Sequence, residues 1–390
     1  MVRLKRDNVH VFTSINLKYF AKARVLAKSL KKHNPNIQFH LMLSDKVPSF
    51  INLNEEIFDS IILLDDLKIE DMESFIFKHN VIELCTAVKP MVFKYLFNKY
   101  NCEKIFYFDP DILITSKIDD LISEFENNDI LLTPHIVKPY SEKRDIIEFE
   151  FQFTKKGIFN LGFIGVNNSK NSLKFLDYWE ERCLNFCYDD INSGLFVDQK
   201  WIDFVPVFFD NVKILKNPIY NIAGWNIKNR NLSGNLINGI YLGDKRVSFI
   251  HFSGIFTPIE KWLENRFKFT APVYLELIKS YKQMCIFEGE NKFREIDWHY
   301  GHFNNGSIIR DHQRFIYRGS RIALDRFKDP FDTNIQDSYY SWHRFKKFKK
   351  NAFDWVVYLN HNPDLRVNWN SPMKARLHYM LYSKKEKRRI

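Results

Sequence analysis

Two aspartates, Asp109 and Asp111, flank a proline directly after an apolar run, in the segment KIFYFDPDILI. The apolar run at residues 104–108 predicts a buried strand, and ligands of open α/β sheets bind at the C-terminal ends of strands. In extended chain, residues i and i+2 point to the same side, so the two carboxylates converge, and Pro110 holds the segment extended. Two carboxylates together with diphosphate oxygens suit a hard cation such as Mn²⁺ or Mg²⁺. The spacing therefore favours a metal site, although a strand-ending acidic turn has the same pattern.

A second candidate metal ligand is His251, which ends the apolar strand pattern VSFIH. Its neutral imidazole would complete a mixed oxygen and nitrogen site with the two aspartates. Gly254 follows closely and allows the backbone to approach a phosphate. A histidine at a strand end more often has a structural role, so the ligand interpretation depends on the aspartates upstream and the glycine downstream.

The segments that would position these residues alternate between strand and helix patterns. Strands are predicted at residues 8–13, 37–43, 60–64, 104–108, 130–133, 161–166, 205–209 and 247–251, and helices at 17–30, 87–97, 172–183 and 271–287. Alternation through roughly the first 130 residues predicts βαβ units and a mostly parallel sheet. The closer spacing of the later strands predicts that the sheet becomes mixed. The expected fold class is α/β, and the apolar content of 45% is enough for a large core.

The charge of the chain is concentrated at its C-terminal end. Residues 341–390 contain 13 Lys and Arg and 3 Asp and Glu, a net +10, so the first 340 residues carry only +1 of the total of +11. A nearly neutral body argues against a nucleic-acid groove, and we expect no nucleic-acid partner. The basic end suggests contact with an anionic surface.

The five cysteines include no CxxC pair, which favours reduced thiols in a reducing compartment. The opening segment MVRLKRDNVHVFTS has no apolar stretch typical of a secretory signal, and no run approaches the roughly 18 apolar residues of a transmembrane helix. We expect a cytoplasmic protein, or one held at a membrane from its cytoplasmic side.

Several segments, in this order and spacing, resemble glycosyltransferase family 8 and its GT-A relatives of bacterial polysaccharide and lipooligosaccharide synthesis. They are FTSINLKYFAKARVLAKSLKKHNP, TAVKP, FDPDI, NLGF, the Asp198-Gln199 pair and HFSG. The resemblance covers about residues 8–270. It implies a GT-A fold, a Rossmann-like mixed sheet flanked by helices that binds a nucleotide-diphospho-sugar.

The resemblance also implies roles for individual residues. The implied metal ligands are Asp109, Asp111 and His251; the implied donor-binding residues are Thr13, Lys89, Asp109, Asn160, Gly254 and Lys261; and the implied catalytic residues are Asp198 and Gln199. The family often has Lys-Pro-Trp after the late glycine, whereas this chain reads GIFTPIEKW, which places the phosphate contact by Lys261 in doubt. Lys89 could instead be a solvated surface lysine, and Asp198 could be a helix cap.

The implied function is metal-dependent transfer of a sugar, with Mn²⁺ or Mg²⁺ as cofactor. The donor would be a nucleotide sugar, expected to be UDP-linked, and the acceptor a hydroxyl of a cell-surface glycan or lipid-linked molecule, with retention of anomeric configuration. One alternative is a sugar-1-phosphate nucleotidyltransferase, which needs a Gly-rich loop after the first strand, where this chain reads SINLKYFAKAR. Another is a non-catalytic glycan- or nucleotide-binding protein on the same fold.

The domain organisation predicted from composition has three parts. Residues 1–288 would form the GT-A domain, 289–340 an irregular or helical extension, and 341–390 a basic helical module. Within the last two parts we expect irregular chain at 291–330 and helices at 338–350, 352–360 and 373–383. The module interleaves Trp342, Phe345, Phe348 and Trp355 with Lys346, Lys347, Lys349 and Lys350, an arrangement that fits an anionic leaflet, an acidic glycan or a partner subunit.

Overall fold

The computed structural model describes residues 8–335, 337–345, 355–383, 386 and 388. Contacts divide the chain into two compact units. Unit 1 contains the described residues up to Leu67, Cys85–Ile191 and Leu195–Trp298, and unit 2 contains Lys68–Leu84, Asn192–Gly194 and the described residues from His299 onward. The three-part division at residues 288 and 340 stays a prediction.

The strands of the described chain all lie in unit 1. They are β1 (Val9–Ile15), β2 (Gln38–Leu43), β3 (Ser60–Leu63), β4 (Lys104–Phe108), β5 (Ile112–Ile114), β6 (Ile130–Pro134), β7 (Phe159–Asn167), β8 (Asp189–Asp190), β9 (Leu195–Phe196), β10 (Val212–Ile214), β11 (Ile222–Ala223), β12 (Leu232–Asn235), β13 (Gly239–Leu242), β14 (Lys245–Arg246) and β15 (Phe249–His251).

The main sheet has seven strands in the order β10-β6-β7-β4-β1-β2-β3. All neighbouring pairs are parallel except those of β7, which runs antiparallel to both β4 and β6. The prediction of an α/β fold whose sheet starts parallel and becomes mixed is confirmed.

A second sheet, β11-β15-β5, brings the two ends of the candidate metal site together. Strand β5 continues directly from the Asp109–Asp111 segment and pairs antiparallel with β15, with Ile112 opposite His251. This register places the histidine beside the residue that follows Asp111. The antiparallel sheet β12-β13-β14 and the pair β8-β9 complete the strand pairing of the described chain.

The helices flank the sheets in unit 1 and form unit 2. They are α1 (Phe20–His33), α2 (Met72–Lys78), α3 (Val81–Ala87), α4 (Lys89–Tyr100), α5 (Asp119–Ser123), α6 (Lys143–Asp145), α7 (Phe151–Lys156), α8 (Lys170–Phe186), α9 (Val205–Phe208), α10 (Pro258–Phe267), α11 (Pro272–Phe287), α12 (Glu290–Phe293), α13 (Asp311–Arg318), α14 (Arg321–Arg326), α15 (Tyr339–Phe345), α16 (Trp355–His361) and α17 (Pro372–Tyr382).

Helix α1 shows why the first βαβ unit forms where the sequence predicts it. Phe20, Ala23, Ala27 and Leu30 are fully buried, at the spacing of one helical face. They belong to a core cluster that includes Phe106 and Phe108 of β4. Burial of this apolar face holds α1 against the sheet and fixes the position of its N-terminal end next to the end of β1.

The predicted strand at residues 205–209 is wrong, because this segment forms the short helix α9. Pro206 occupies the first turn of the helix, where its missing N–H costs no hydrogen bond. Val205 is buried, but Val207 and Phe208 are exposed, so the apolar run continues onto the surface and does not form a buried strand.

The irregular region predicted at residues 291–330 is wrong in part, because it contains the helices α13 and α14 of unit 2. Helix α13 buries Arg314, whose guanidinium donates hydrogen bonds to the backbone oxygens of Phe77, His79 and Tyr300. A buried arginine satisfied by backbone carbonyls makes the segment look polar in sequence although it packs in the interior of unit 2.

At the C-terminal end, the described helices α15, α16 and α17 agree with the predicted helical segments to within one residue where they extend beyond them. A small apolar cluster of Tyr358, Leu359, Leu365 and Ala375 joins α16 to α17. The predicted basic segment of Lys346, Lys347, Phe348, Lys349 and Lys350, and the side chain of Phe345, lie outside the described residues. None of the helices that the structure describes has both the length and the apolar character needed to cross a membrane.

Candidate active site

The two aspartates and the late histidine converge, as their positions in the sequence predict. The Nε2 atom of His251 lies 3.0 Å from Oδ1 of Asp111 and 3.8 Å from Oδ2 of Asp109. One ligand atom from each residue lies within 4.8 Å of the other two. We call these three residues the Asp–Asp–His cluster. Two carboxylates and one imidazole form a donor set that fits Mn²⁺ or Mg²⁺.

Backbone hydrogen bonds fix the Asp–Asp–His cluster at the junction of the two sheets. The N–H of Asp109 donates to the oxygen of Gly162 in β7, at 2.8 Å, and the N–H of Phe252 donates to the oxygen of Asp111, also at 2.8 Å. Tyr107 adds a side-chain contact, because its hydroxyl donates to Oδ1 of Asp109 at 2.5 Å. The position of the carboxylates is therefore set before any ligand binds.

The imidazole of His251 packs directly against Gly162. A Cβ atom at Gly162 would lie 2.4 Å from Cε1 and 2.8 Å from Nδ1 of this ring, so no larger residue fits there without displacing it. Trp225 contacts the ring edge to face, with centroids 5.2 Å apart. The buried Nδ1 atom of His251 has no hydrogen-bond partner among the described residues.

Charge within the Asp–Asp–His cluster is balanced between its members. Burial alone would raise the pKa of Asp111, but the neighbouring His251 outweighs burial and lowers it. Burial alone would lower the pKa of His251, but Asp111 and then Asp109 outweigh it and raise it. A divalent cation bound here would take the place of a proton on His251 as the positive partner of the two carboxylates.

Lys89, the first residue of α4, is buried next to the Asp–Asp–His cluster. Its Nζ atom lies 3.0 Å from Oδ2 of Asp198 and 3.9 Å from Oδ1 of Asp109, and it donates to the oxygen of Leu161 at 3.0 Å. The ammonium also lies over the ring of Tyr107, 4.2 Å from its centroid. Burial alone would lower the pKa of Lys89, but the carboxylates of Asp198 and Asp109 outweigh burial and raise it. The surface alternative for Lys89 is wrong.

Asp198 is almost completely buried, with 1% exposure. Burial raises its pKa to about 6, although the charge of Lys89 opposes the shift. Asp198 precedes a 3₁₀ helix at residues 199–204, but its side chain makes no capping hydrogen bond, so the helix-cap alternative is wrong. The carboxylate is instead the ion-pair partner of Lys89.

Both polar atoms of the Gln199 side-chain amide form hydrogen bonds with backbone groups. Its Oε1 accepts from the N–H of Leu161, and its Nε2 donates to the oxygen of Lys156, both at 3.0 Å. The amide thereby positions the start of β7, the strand that carries Gly162. Its predicted catalytic role stays a prediction.

Asn160 lies at the start of β7 and Thr13 near the end of β1, at the edge of the sheet that carries the Asp–Asp–His cluster. Oδ1 of Asn160 accepts from Nδ2 of Asn221 at 3.0 Å, within a buried polar network. The register of β1 pairs Phe12 with Tyr107, which places Thr13 level with the end of β4, just before Asp109. The hydroxyl of Thr13 is buried without a hydrogen-bond partner among the described residues. Donor binding by both residues stays a prediction.

Gly254 has a backbone φ of +80°, a conformation that favours glycine, and a Cβ atom there would lie 2.8 Å from Ile259. Lys261 follows on α10 and is exposed. The structure thus places Gly254 in the tight turn that follows His251, whereas Lys261 stands on the surface of the next helix.

Sequence reasoning missed two residues at the site. Tyr107 lies two positions before Asp109 in the same strand, so the alternation that predicted the convergence of the aspartates could also have found it. Lys22 lies in the first turn of α1 and is buried, with 6% exposure. No sequence signal separated it from the other lysines of this helix.

No protein-family model matches the chain. Solved structures that resemble it are glycosyltransferases, the class that the motifs predict. Galactosyltransferase LgtC, in complex with donor and acceptor sugar analogs, is 15% identical with a TM-score of 0.42, over 72% of this chain and 95% of LgtC. The glycosyltransferase GlyE of Streptococcus pneumoniae TIGR4 is 16% identical with a TM-score of 0.41, over 76% of this chain and 66% of GlyE.

In sequence, the chain is 24% identical over 257 residues to the uncharacterized protein YfnD of Bacillus subtilis (strain 168). The aligned residues are 65% of this chain and 79% of YfnD. Identities and TM-scores as low as these leave the function to be inferred from the residues of the site.

Proposed function

We propose that the protein is a metal-dependent glycosyltransferase that uses a nucleotide-diphosphate sugar, expected to be UDP-linked. The observation that carries the proposal is the Asp–Asp–His cluster at the C-terminal end of β4, next to the buried ion pair of Lys89 and Asp198. Ligands of α/β sheets bind at this edge of the sheet. The acceptor is a hydroxyl of a cell-surface glycan or lipid-linked molecule, and retention of configuration follows the motif resemblance.

Each group at the site has a function that suits this chemistry. When bound by Asp109, Asp111 and His251, Mn²⁺ or Mg²⁺ supplies positive charge to the diphosphate of the leaving nucleotide. Lys89 lies 3.9 Å from Asp109, so its ammonium adds fixed positive charge on the same side. In this proposal the carboxylate of Asp198, paired with Lys89, accepts hydrogen bonds from hydroxyls of the donor sugar.

The proposal is tested by the thermal stability of the protein with a panel of nucleotide sugars, each with and without Mn²⁺. A ligand at about 100 times its Kd stabilises the folded state by about 2.7 kcal/mol, which raises the Tm of a chain of this length by roughly 3 °C. We expect this increase for one nucleotide sugar, only with metal, and we expect Asp111→Asn to abolish it.

Asp244→Asn is the matched control, because Asp244 is an exposed carboxylate of unit 1 and its variant should respond like the wild-type protein. Absence of any metal-dependent shift across the panel, with a folded protein, would refute the proposal. Metal-dependent binding without hydrolysis or transfer of the sugar would favour the non-catalytic binding protein.

A further inference from the structure

Lys22 is a buried cation without a polar partner. Its side chain makes no hydrogen bond and no ion pair with any described residue, although only 6% of it is exposed. Its Nζ atom contacts aromatic rings instead, 4.4 Å from the centroid of Tyr19 and 5.9 Å from that of Phe256. The three N–H donors of this ammonium are therefore not used by any described residue and are available to a ligand.

The other cations around the ring of Phe256 differ in this respect. Lys282 forms an ion pair with Glu260, and Arg294 donates to the backbone oxygen of Phe256. Of the three cations that the structure places over this ring, Lys22 alone has no polar partner among the described residues.

Lys22 also stands at the place where an anion would bind. It lies in the first turn of α1, a helix of 14 residues that follows β1, and helix N-termini attract anions. Phe256 ends the turn at residues 253–256, which contains Gly254 and follows His251 by two residues. The ammonium, in contact with the rings of Tyr19 and Phe256, therefore lies between the β1–α1 connection and this turn.

We propose that Lys22 binds the diphosphate group of the nucleotide-sugar donor, opposite the metal ion held by the Asp–Asp–His cluster. This inference rests on the proposed function and assigns to Lys22 the phosphate contact that the motif resemblance implies for Lys261. Lys261 is exposed on α10, whereas Lys22 is preorganised by burial, and in the complex its ammonium gains a charged partner at contact distance, which no described residue supplies.

The test is titration calorimetry with Mg²⁺-pyrophosphate and with a panel of nucleoside diphosphates, on wild-type protein, Lys22→Gln and Lys18→Gln. Lys18 is an exposed lysine just before the same helix, so its variant removes the same charge without touching the buried position. Loss of a hydrogen bond to a charged group weakens binding by roughly 10- to 100-fold. We expect this loss for Lys22→Gln, and wild-type affinity for Lys18→Gln.

Binding of Mn²⁺ alone separates a phosphate contact from damage to the site. Because Lys22 is a cation and not one of the proposed metal ligands, its removal should leave the affinity for Mn²⁺ unchanged or increase it. Unchanged diphosphate affinity in Lys22→Gln would overturn the inference about Lys22 and leave the proposed function intact. Weaker binding of Mn²⁺ alone would assign Lys22 a structural role and overturn it as well. If the wild-type protein binds no diphosphate with metal present, both proposals fall.

Discussion

Replacement of Gly162 by alanine is the sharpest test of whether His251 is a metal ligand. The added Cβ would lie 2.4 Å from Cε1 of His251, whereas ordinary contact begins at 3.4 Å, so the ring must move by at least 1.0 Å (3.4 − 2.4). Metal–ligand distances tolerate only about 0.2 Å of change. The imidazole would therefore lose its position beside Asp111.

We expect Gly162→Ala to weaken Mn²⁺ binding by roughly 10- to 100-fold, the usual effect of disturbing the support of a metal ligand. Overpacking of the strand should also lower the free energy of unfolding by about 1–3 kcal/mol. Titration calorimetry with Mn²⁺ measures the first effect, and urea denaturation without metal measures the second.

Gly165→Ala provides the control in the same strand. A Cβ atom there would meet ring atoms of Phe106 and Phe125 at 3.0 Å, in the core and away from His251. This variant should lose stability but keep wild-type affinity for Mn²⁺. If Gly162→Ala binds Mn²⁺ as tightly as the wild-type protein, His251 is not a ligand. If both variants lose affinity equally, the effect is one of stability and the reasoning fails.

Two further predictions concern buried charges. Burial raises the pKa of Asp198 to about 6, whereas the same carboxyl has a pKa near 4 in the unfolded chain. Between these two values only the native protein keeps the proton, so the free energy of unfolding falls as the pH rises from about 4 to about 6. Relative to Asp198→Asn, wild-type protein should lose up to about 3 kcal/mol between pH 4 and 7.5 in urea denaturation, and parallel pH profiles would contradict the shift. In unit 2, Arg314→Met leaves three backbone oxygens without their donor and should lower the free energy of unfolding by about 3 kcal/mol; unchanged hydrogen exchange in α13 would contradict this.

The sequence correctly predicts those helices and strands whose apolar residues face the core. Strand β4 and helix α1 form as expected, because their apolar residues face a core. The strand predicted at residues 205–209 failed because Val207 and Phe208 of α9 lie on the surface, and burial cannot be read from hydrophobicity alone. Helix α13 was missed because its buried arginine is satisfied by carbonyls from distant segments.

At the site, convergence was predictable but the partners of each group were not. Asp109, Asp111 and His251 meet because β15 pairs antiparallel with β5, which brings the end of β15 beside the start of β5. That Lys89 pairs with Asp198, or that Gly162 supports a histidine ring, depends on contacts between segments far apart in the chain. Lys22 was missed because α1 buries residues around much of its circumference, so its polar positions give no periodic signal.

The pairing of β15 with β5 also bears on the order of folding. Asp111 and His251 are 140 residues apart (251 − 111), and they meet only when this antiparallel pair forms. Contacts of such long range carry a large loop-closure cost and complete late. A cation held by the Asp–Asp–His cluster would stabilise only chains that have made this final pairing, by RT ln(1 + [M]/Kd). Metal would therefore slow the unfolding of the finished protein and give no advantage to partly folded chains in which β15 is still detached.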